Sequence, residues 1–370
     1  MEGFLLAAIA HERMASVKEF RVETEPTATE YGHGRFMFTD HYSVFDWGEM
    51  PDQIPHKGTS LCTMGAYNFE LLEQNDISTH YLGVGRSSEA ETTVDNQSSN
   101  DSDHITAVYA LDECTTAPTE MVINLTQVPT LPYTDGVYDY ESYHDNGGRN
   151  YLIPLEIVFR NTVPTGSSLR RRKSPREYGI DADAWPSDHV ELSEPIIEFS
   201  TKYEEQDRYL DRAEAEQIAG VASLDKLEEL ALGVNRVITH QAEKHGFIHE
   251  DGKIECLYHD GKIIVADVAG TFDENRFEYN NQEVSKEVIR QRYKEVDAEW
   301  VSAVKDAKQQ AEINNVAEWR DRCDRSPTSL AQPAIDAVAD LYTAGANRYI
   351  DTQWFDAPSM DVAVENIQEL

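Results

Sequence analysis

Residues 246–267 read GFIHEDGKIECLYHDGKIIVAD, and this stretch predicts two antiparallel strands joined by a tight turn. The turn is the HDG triplet at 259–261, in which Gly261 suits the left-handed backbone of a three-residue hairpin loop. That loop length places Asp267 opposite Lys253. A two-residue turn would instead move Asp267 to the other face of the hairpin, because side chains alternate along a strand.

Four charged side chains gather on one face of this predicted hairpin. Asp251, Lys253 and Glu255 alternate along the first strand, and Asp267 joins them in the three-residue register. Three carboxylates with one ammonium are unfavourable unless a cation compensates them. Mg²⁺ takes carboxylate oxygens at roughly 2.0–2.1 Å and bridges to nucleotide phosphates, so the face is a candidate magnesium–nucleotide site. An ordinary solvated face of an acid-rich chain stays open on spacing alone.

Two further segments offer groups that bind anions. Arg276 lies just beyond the hairpin and could pair bidentately with a phosphate, although a surface ion pair is the alternative. Arg160 and Ser167 follow an apolar run at 151–159 that predicts a buried strand. A guanidinium, a hydroxyl and the backbone N–H groups of a Gly-Ser turn suit an anion, with a plain polar turn as the alternative.

An early loop supplies weaker candidates. Asp46 ends an alternating polar–apolar stretch, and Lys57 lies in a proline-bounded loop suited to an anionic group. The basic run RRRK at 170–173 stands out in an acidic chain. An exposed loop is the preferred interpretation of that run, and contact with substrate anions is the alternative.

The charge balance excludes some classes of function. The 370-residue chain has a net charge of −36, so repulsion from phosphates excludes a general nucleic-acid binder. Its acidic residues are spread along the chain, which favours adaptation to high salt over an acidic interaction tail. No apolar run approaches the roughly 18 residues of a membrane span, and we expect no membrane partner. The scattered cysteines show no metal-binding spacing and fit a reducing cytoplasm.

Composition divides the chain into four parts. We expect a non-native or disordered extension at 1–13 and a β-rich N-terminal lobe at 14–150 with a polar insertion near 86–104. An α/β lobe follows at 151–310 and a helical tail at 311–370. Helical periodicity predicts helices over 60–74, 224–245, 285–307 and 329–350.

Any ATP site in this chain must be of a non-Walker kind, since the sequence holds no phosphate-binding loop of the GxxxxGK[ST] type.

Five segments in order resemble the phosphoribosylaminoimidazole-succinocarboxamide synthase (SAICAR synthetase) family, over about residues 16–300. They are the loop with IPHKG at 54–58, the strand PLEIVFR at 154–160, the segment EPI…STK at 194–202, the hairpin around Asp251-x-Lys253-x-Glu255, and the DENRF run at 273–277.

The resemblance implies a fold and a reaction. The implied fold is α+β in two lobes, with a small β-rich N-terminal lobe, a larger α/β ATP-grasp-like lobe and ATP between them. The family joins carboxyaminoimidazole ribonucleotide to the amine of L-aspartate in purine biosynthesis, with hydrolysis of ATP. Because a carboxylate is a poor acylating group, its phosphorylation to an acyl phosphate would let the amine attack.

The resemblance also implies roles for single residues. Asp251 and Lys253 would be catalytic groups that contact substrate near the metal. Lys18 and Glu255 would contact ATP, and Mg²⁺ would bind Glu255 and Asp267. The substrate-binding residues would be Asp46, Lys57, Arg160, Ser167 and Arg276.

Two other functions stay open from the sequence. One is an ATP-dependent kinase or ligase acting on another small carboxylate. The other is a nucleotide-binding homologue that has lost catalysis. The sequence leaves open whether the chain forms a homo-oligomer.

Overall fold

A computed structural model describes residues 18–85, 108–134, 136–204, 207–314 and 319–370. It contains two antiparallel β-sheets surrounded by helices, so the predicted α+β class is confirmed. The predicted extension at 1–13 and the predicted polar insertion at 86–104 lie outside the described residues.

The N-terminal sheet has five strands in the order β1-β2-β5-β3-β4. Their bounds are Lys18–Thr24 (β1), Gly32–Phe38 (β2), Tyr81–Gly85 (β3), Val108–Tyr109 (β4) and Glu120–Leu125 (β5). A separate short hairpin follows, formed by Tyr133–Thr134 (β6) and Val137–Tyr138 (β7).

The second sheet has six strands in the order β13-β12-β10-β8-β9, with β11 also paired to β10. Their bounds are Asn150–Val163 (β8), Val190–Thr201 (β9), Ile248–His259 (β10), Lys262–Ala266 (β11), Asn275–Tyr279 (β12) and Gln282–Glu283 (β13). Val265 of β11 also bonds the backbone at Ser78 and His80, which connects the two sheets.

The helices are named in chain order. They are Lys57–Gln74 (α1), Tyr140–Gly147 (α2), Leu169–Arg172 (α3), Arg212–Ala219 (α4), Leu224–Lys244 (α5), Glu287–Val296 (α6), Ala298–Ile313 (α7), Gln332–Ile350 (α8) and Met360–Gln368 (α9). Every described helix is too short or too polar to cross a membrane.

Three predicted helices are confirmed and one is divided. Helix α5 begins after Ser223, whose hydroxyl accepts from the Lys226 backbone as a cap. The helix predicted over 285–307 is instead two helices, α6 and α7, separated at Asp297. The Asp297 carboxylate bonds the backbone N–H groups of Trp300 and Thr328, so it caps α7 and interrupts the longer helix.

One face of the second sheet packs against α5, and the opposite face does not contact that helix. Ile157 and Phe159 of β8 are completely buried, and the Asn161 amide donates to Asn235 of α5 (3.0 Å). Side chains alternate along a strand, so Glu156 and Arg160 point to the opposite face.

The predicted register of the β10–β11 hairpin is wrong. The connection is the two-residue turn Asp260-Gly261, and Glu255 pairs with Ala266. Both turn residues have positive φ (48° and 87°), as a type I′ turn requires, and this turn matches the natural twist of paired strands. Asp267 itself lies just past the end of β11 with φ 62°. The left-handed backbone there directs its side chain to Lys18 of β1, so Asp267 still reaches the group of charges despite the changed register.

The C-terminal helices are part of the core. Helix α8 packs along α1, and Tyr342 and Tyr349 of α8 are completely buried. The expected lobe boundary after residue 150 falls at the first residues of β8.

Candidate active site

The face of the second sheet opposite α5 is lined by charged side chains from neighbouring strands, and we call it the charged face. Its members are Glu156, Arg160, Glu198, Lys202, Asp251, Lys253, Glu255, Asp267 and Arg276. It brings together six of the residues singled out from the sequence, namely Arg160, Asp251, Lys253, Glu255, Asp267 and Arg276. Lys18 of the N-terminal sheet reaches the same face through its ion pair with Asp267.

At one end of the charged face, Asp251 lies between two arginines. Arg160 Nη1 donates to Asp251 Oδ2 (2.8 Å), and Arg276 Nε donates to Oδ1 (2.8 Å), with Arg276 Nη2 also on Oδ2. Burial alone would raise the pKa of Asp251, but the two guanidinium groups outweigh it and hold that pKa below its usual value. Asp251 is therefore ionised, and it orients both arginines.

In the middle of the charged face is Lys253. Its ammonium donates to Glu156 (2.7 Å) and lies 3.5 Å from Glu274. Burial opposes its charge, but the surrounding carboxylates raise the pKa of Lys253 well above its usual value. The side chain is 35% exposed, so a permanently charged ammonium faces solvent between the two ends of the face.

At the other end, two carboxylates have lysine partners. Lys202 bonds Glu255, and Lys18 bonds Asp267. Burial raises the pKa of Glu255 to about 8. The negative charges of Asp267 and Glu156 also raise this pKa, whereas the positive charge of Lys202 lowers it. Burial opposes ionisation of Asp267 as well, yet Lys18 and Lys202 lower the pKa of that carboxyl. This end therefore pairs two carboxylates with two lysines, and the carboxylates of Asp267 and Glu156 lie close enough to Glu255 to oppose its ionisation.

These carboxylates fit a magnesium–nucleotide site better than a metal site built from protein groups alone. Among the described residues, no group of three or more His, Cys, Asp or Glu side chains is arranged to hold a metal ion. Mg²⁺ commonly binds one or two carboxylates and takes its other ligands from phosphates and water. Glu255 and Asp267 suit that arrangement, because a divalent cation would relieve the repulsion that Asp267 and Glu156 exert on Glu255.

Lys57 and Asp46, the two candidates from the early loop, differ in exposure to solvent. Lys57, at the start of α1, is completely buried, and its ammonium donates to Asp273 (2.7 Å), which also accepts from Tyr342 (2.8 Å). Asp46 is exposed, with φ 58°, and it pairs with Lys308 of α7.

Ser167 lies at the base of the short helix α3. It is buried, and its hydroxyl accepts from the Leu169 backbone (3.4 Å). Helix α3 also carries Arg172, whose Nη1 donates to Glu198 (2.6 Å) beside Arg160. The basic run at 170–173 therefore contributes one side chain to the charged face, which the preferred sequence interpretation did not include.

Sequence reasoning missed several members of the charged face. Glu156 is the one charged residue in an apolar strand run, and Lys202 ends the STK segment, so each carried a signal in its own stretch. Glu198 lies inside the EPI…STK segment but was not singled out, and Tyr209, which adjoins the charged face, carried no signal. The importance of both comes from contacts with Arg160 on another strand. The Tyr209 hydroxyl accepts from Arg160 Nη2 (3.0 Å).

The sequence is similar to proteins of one enzyme family over most of its length. The SAICAR synthetase family model matches residues 27–307. A protein of Archaeoglobus fulgidus assigned as a phosphoribosylaminoimidazole-succinocarboxamide synthase is 38% identical over 96% of this chain and 99% of its own. The phosphoribosylaminoimidazole-succinocarboxamide synthase of Thermoplasma volcanium is 32% identical over 70% of this chain and 78% of its own.

Solved structures agree with this fold. The SAICAR synthase of Saccharomyces cerevisiae in complex with SAICAR has a TM-score of 0.57 at 16% identity, over 92% of this chain and 94% of that chain. A SAICAR synthetase in complex with ADP has a TM-score of 0.51 at 20% identity, over 85% of this chain and 98% of that chain. At these identities the similarity is one of fold.

Proposed function

The chain belongs to the SAICAR synthetase family, and we propose that its charged face is where the reaction of that family takes place. The protein is an ATP-dependent ligase of purine biosynthesis that joins carboxyaminoimidazole ribonucleotide to L-aspartate. The observation that supports this site best is the convergence on one sheet face of Asp251, Lys253, Glu255 and Asp267 with Arg160 and Arg276.

The arginine end suits the phosphate of the ribonucleotide. Arg276 and Arg160 share Asp251, which holds their guanidinium groups side by side. A guanidinium can bind phosphate oxygens through two parallel hydrogen bonds. Ser167, at the base of the helix α3 that carries Arg172, would add a hydroxyl.

The acidic end suits ATP. Lys18 would contact the ATP phosphates after exchanging its partner Asp267 for them. Glu255 and Asp267 would hold Mg²⁺, which when bound neutralises phosphate charge. Lys202 keeps a positive charge beside both carboxylates, since its pKa is raised to about 12 against the opposing effect of burial.

Between the two ends, Lys253 lies where a substrate carboxylate would meet the nucleotide. Its ammonium would neutralise the carboxylate as that group attacks the terminal phosphorus, and the same charge would stabilise the acyl phosphate that results. Asp251 would keep the ribonucleotide in place through its two arginines. Most of the rate enhancement would come from positioning and charge neutralisation.

The early loop would act on the amine substrate and on the framework of the site. Asp46 lies near Lys286, Arg290 and Lys308, and these cations suit the two carboxylates of L-aspartate. Lys57 is completely buried, so we assign it an indirect part in substrate binding. It neutralises Asp273, next to Glu274, which contacts Lys253.

Release of ADP in concentrated salt tests the proposal. The assay supplies ATP and Mg²⁺ with the ribonucleotide, with L-aspartate, or with both. We expect ADP and the amide product to appear in equal amounts only when both substrates are present. ADP release with a different small carboxylate would identify another kinase or ligase, and ATP binding without turnover would identify an inactive homologue.

The acidic surface also leads us to propose a cytoplasm rich in salt as the place where the enzyme works. The net charge of −36 is spread over the chain and would be screened there.

A further inference from the structure

Arg172 joins the arginine end of the charged face from outside the sheet. Its Nη1 and Nη2 donate to Glu198 at 2.6 and 3.2 Å, and Arg160 Nε donates to the same Glu198 Oε2 at 2.7 Å. Asp251 Oδ2 is shared in the same way by Arg160 and Arg276. Three guanidinium groups therefore lie in a row with two carboxylates between them.

The central arginine of this row is the least available to a ligand. The Arg160 side chain is only 4% exposed, and each of its three nitrogens already donates to a side chain. The Arg172 side chain is 26% exposed, and its Nε is buried without a hydrogen-bond partner in the described part of the chain. Arg172 thus has donor capacity that its protein contacts leave unused.

Tyr209 contacts both of these arginines. The Arg172 guanidinium carbon lies 3.4 Å from the centre of the Tyr209 ring, and the Tyr209 hydroxyl accepts from Arg160. The Tyr209 backbone pairs with Ser200 at the end of β9, so the ring has a defined position. Stacking on an aromatic ring restricts a flexible arginine to one orientation before a ligand arrives.

We propose that Arg172 is a third arginine of the ribonucleotide phosphate site and that Tyr209 is the positioning residue that orients it. Arg172 donates to the phosphate from the side opposite Arg276, while Arg160 holds the two carboxylates between them. This inference rests on the proposed function for the identity of the ligand. The binding of a phosphate group at Arg172 is inferred from the contacts of Arg172 and Tyr209 alone.

The test compares Arg172→Gln with Arg171→Gln, a matched control that removes the same charge from the exposed neighbouring position on α3. Loss of a charged hydrogen bond to phosphate raises KM for the ribonucleotide about 10- to 100-fold in Arg172→Gln. Its KM for ATP and L-aspartate stays within about twofold of the unchanged enzyme, which also shows that the variant is folded. Arg171→Gln behaves as the unchanged enzyme. An unchanged KM for the ribonucleotide in Arg172→Gln overturns the proposal.

Two variants of Tyr209 separate positioning from general stability. Tyr209→Phe keeps the stacked ring, and Tyr209→Leu removes it. We expect Tyr209→Leu to raise KM for the ribonucleotide about tenfold with little change in kcat, and Tyr209→Phe to restore most of the affinity. Equal KM values for the two variants would overturn the positioning role.

A second measurement keeps this inference separate from the proposed function. Calorimetric titration with ribose 5-phosphate reports the phosphate site without turnover, and Arg172→Gln should weaken that binding about tenfold. If the protein lacked synthase activity but this difference persisted, the proposed function alone would fail. If synthase activity were normal and Arg172→Gln bound ribose 5-phosphate as the unchanged protein does, the inference alone would fail.

Discussion

Each carboxylate of the charged face has a cationic partner, and such a partner favours the ionised form of a buried carboxylate. At Glu255 burial still outweighs Lys202 and raises the pKa of that carboxyl to about 8. Glu156 pairs with Lys253, Glu255 with Lys202, and Asp267 with Lys18. An unpaired buried carboxylate would take up a proton, because desolvation penalises its charge more than that of an exposed one. In the proposed site, substrates that carry phosphates and carboxylates would exchange partners with groups already held in place.

Replacing Lys253 tests the proposed role of the ammonium in the middle of the charged face. Lys253→Ala should lower kcat about 10²- to 10³-fold, since it removes the charge that neutralises the reacting groups. Lys262→Ala is the matched control, because Lys262 is an exposed lysine in the adjoining strand β11. Steady-state rates and thermal unfolding of both variants give the comparison. Near-normal kcat in a folded Lys253→Ala protein would remove that residue from the site.

The carboxyl pair Glu250 and Glu283 predicts a pH dependence of stability. Burial, together with the negative charge of Glu250, raises the pKa of Glu283 to about 9, although Ser285 and Arg276 oppose this. The pKa of Glu283 in the unfolded chain is close to its ordinary 4.5. The folded protein thus holds a proton that the unfolded chain releases, and the associated stability is present below pH 4.5 and is lost as pH rises towards 9.

Urea unfolding between pH 5 and about 9 measures this effect. The free energy of unfolding should fall by up to about 1.4 kcal/mol per pH unit from this group, and Glu283→Gln should flatten the slope because an amide does not titrate. The same slope in both proteins would show that Glu283 is ionised throughout.

At the scale of elements, the sequence predicted the strands β8, β10 and β11 but neither the register of β10 with β11 nor the strands that flank them. Period-two alternation in β10 correctly placed Asp251, Lys253 and Glu255 on one face, because that pattern is local. The register of β10 with β11 depended on whether the turn has two or three residues. In the two-residue turn Asp260 has a left-handed backbone, and the sequence allowed either turn. Partners such as Glu198 of β9 and Lys202, which directly follows β9, come about fifty residues earlier, and only the folded sheet brings them to β10.

The left-handed backbone at Gly261 of the hairpin turn can be tested by substitution. Gly261 has φ 87°, where a β-branched side chain is strained, so Gly261→Val should lower the free energy of unfolding by about 1–2 kcal/mol. Gly166→Ala is the control, since a Cβ at Gly166 meets nothing within 4 Å. Urea unfolding of both variants decides the matter, and equal stabilities would argue for a different turn.

At the scale of the whole molecule, the negative charge is the dominant feature outside the site. A net charge of −36 on 370 residues repels itself in the folded state, and the unfolded chain relieves that repulsion by expanding. Salt shortens the distance over which charges interact, from about 10 Å at 0.1 M to about 3 Å at 1 M. Folding should therefore gain stability as salt increases.

Thermal unfolding in increasing KCl measures this gain. We expect Tm to rise steeply between 0.1 and about 1 M KCl, where screening changes most. Sucrose at matched osmolality is the control, because it favours the compact state without screening charge. A Tm that responds to sucrose but not to KCl would contradict adaptation through surface charge.

In the proposed reaction, the charged face activates a substrate carboxylate by phosphorylating it. Oxygen transfer tests this step, with carboxyaminoimidazole ribonucleotide that has ¹⁸O at both carboxylate oxygens, together with ATP, Mg²⁺ and L-aspartate. Attack of a carboxylate oxygen on the terminal phosphorus, followed by attack of the amine on the acyl carbon, transfers one labelled oxygen to the phosphate released. Each phosphate formed should carry one ¹⁸O. Phosphate without label, released alongside the amide product, would contradict it.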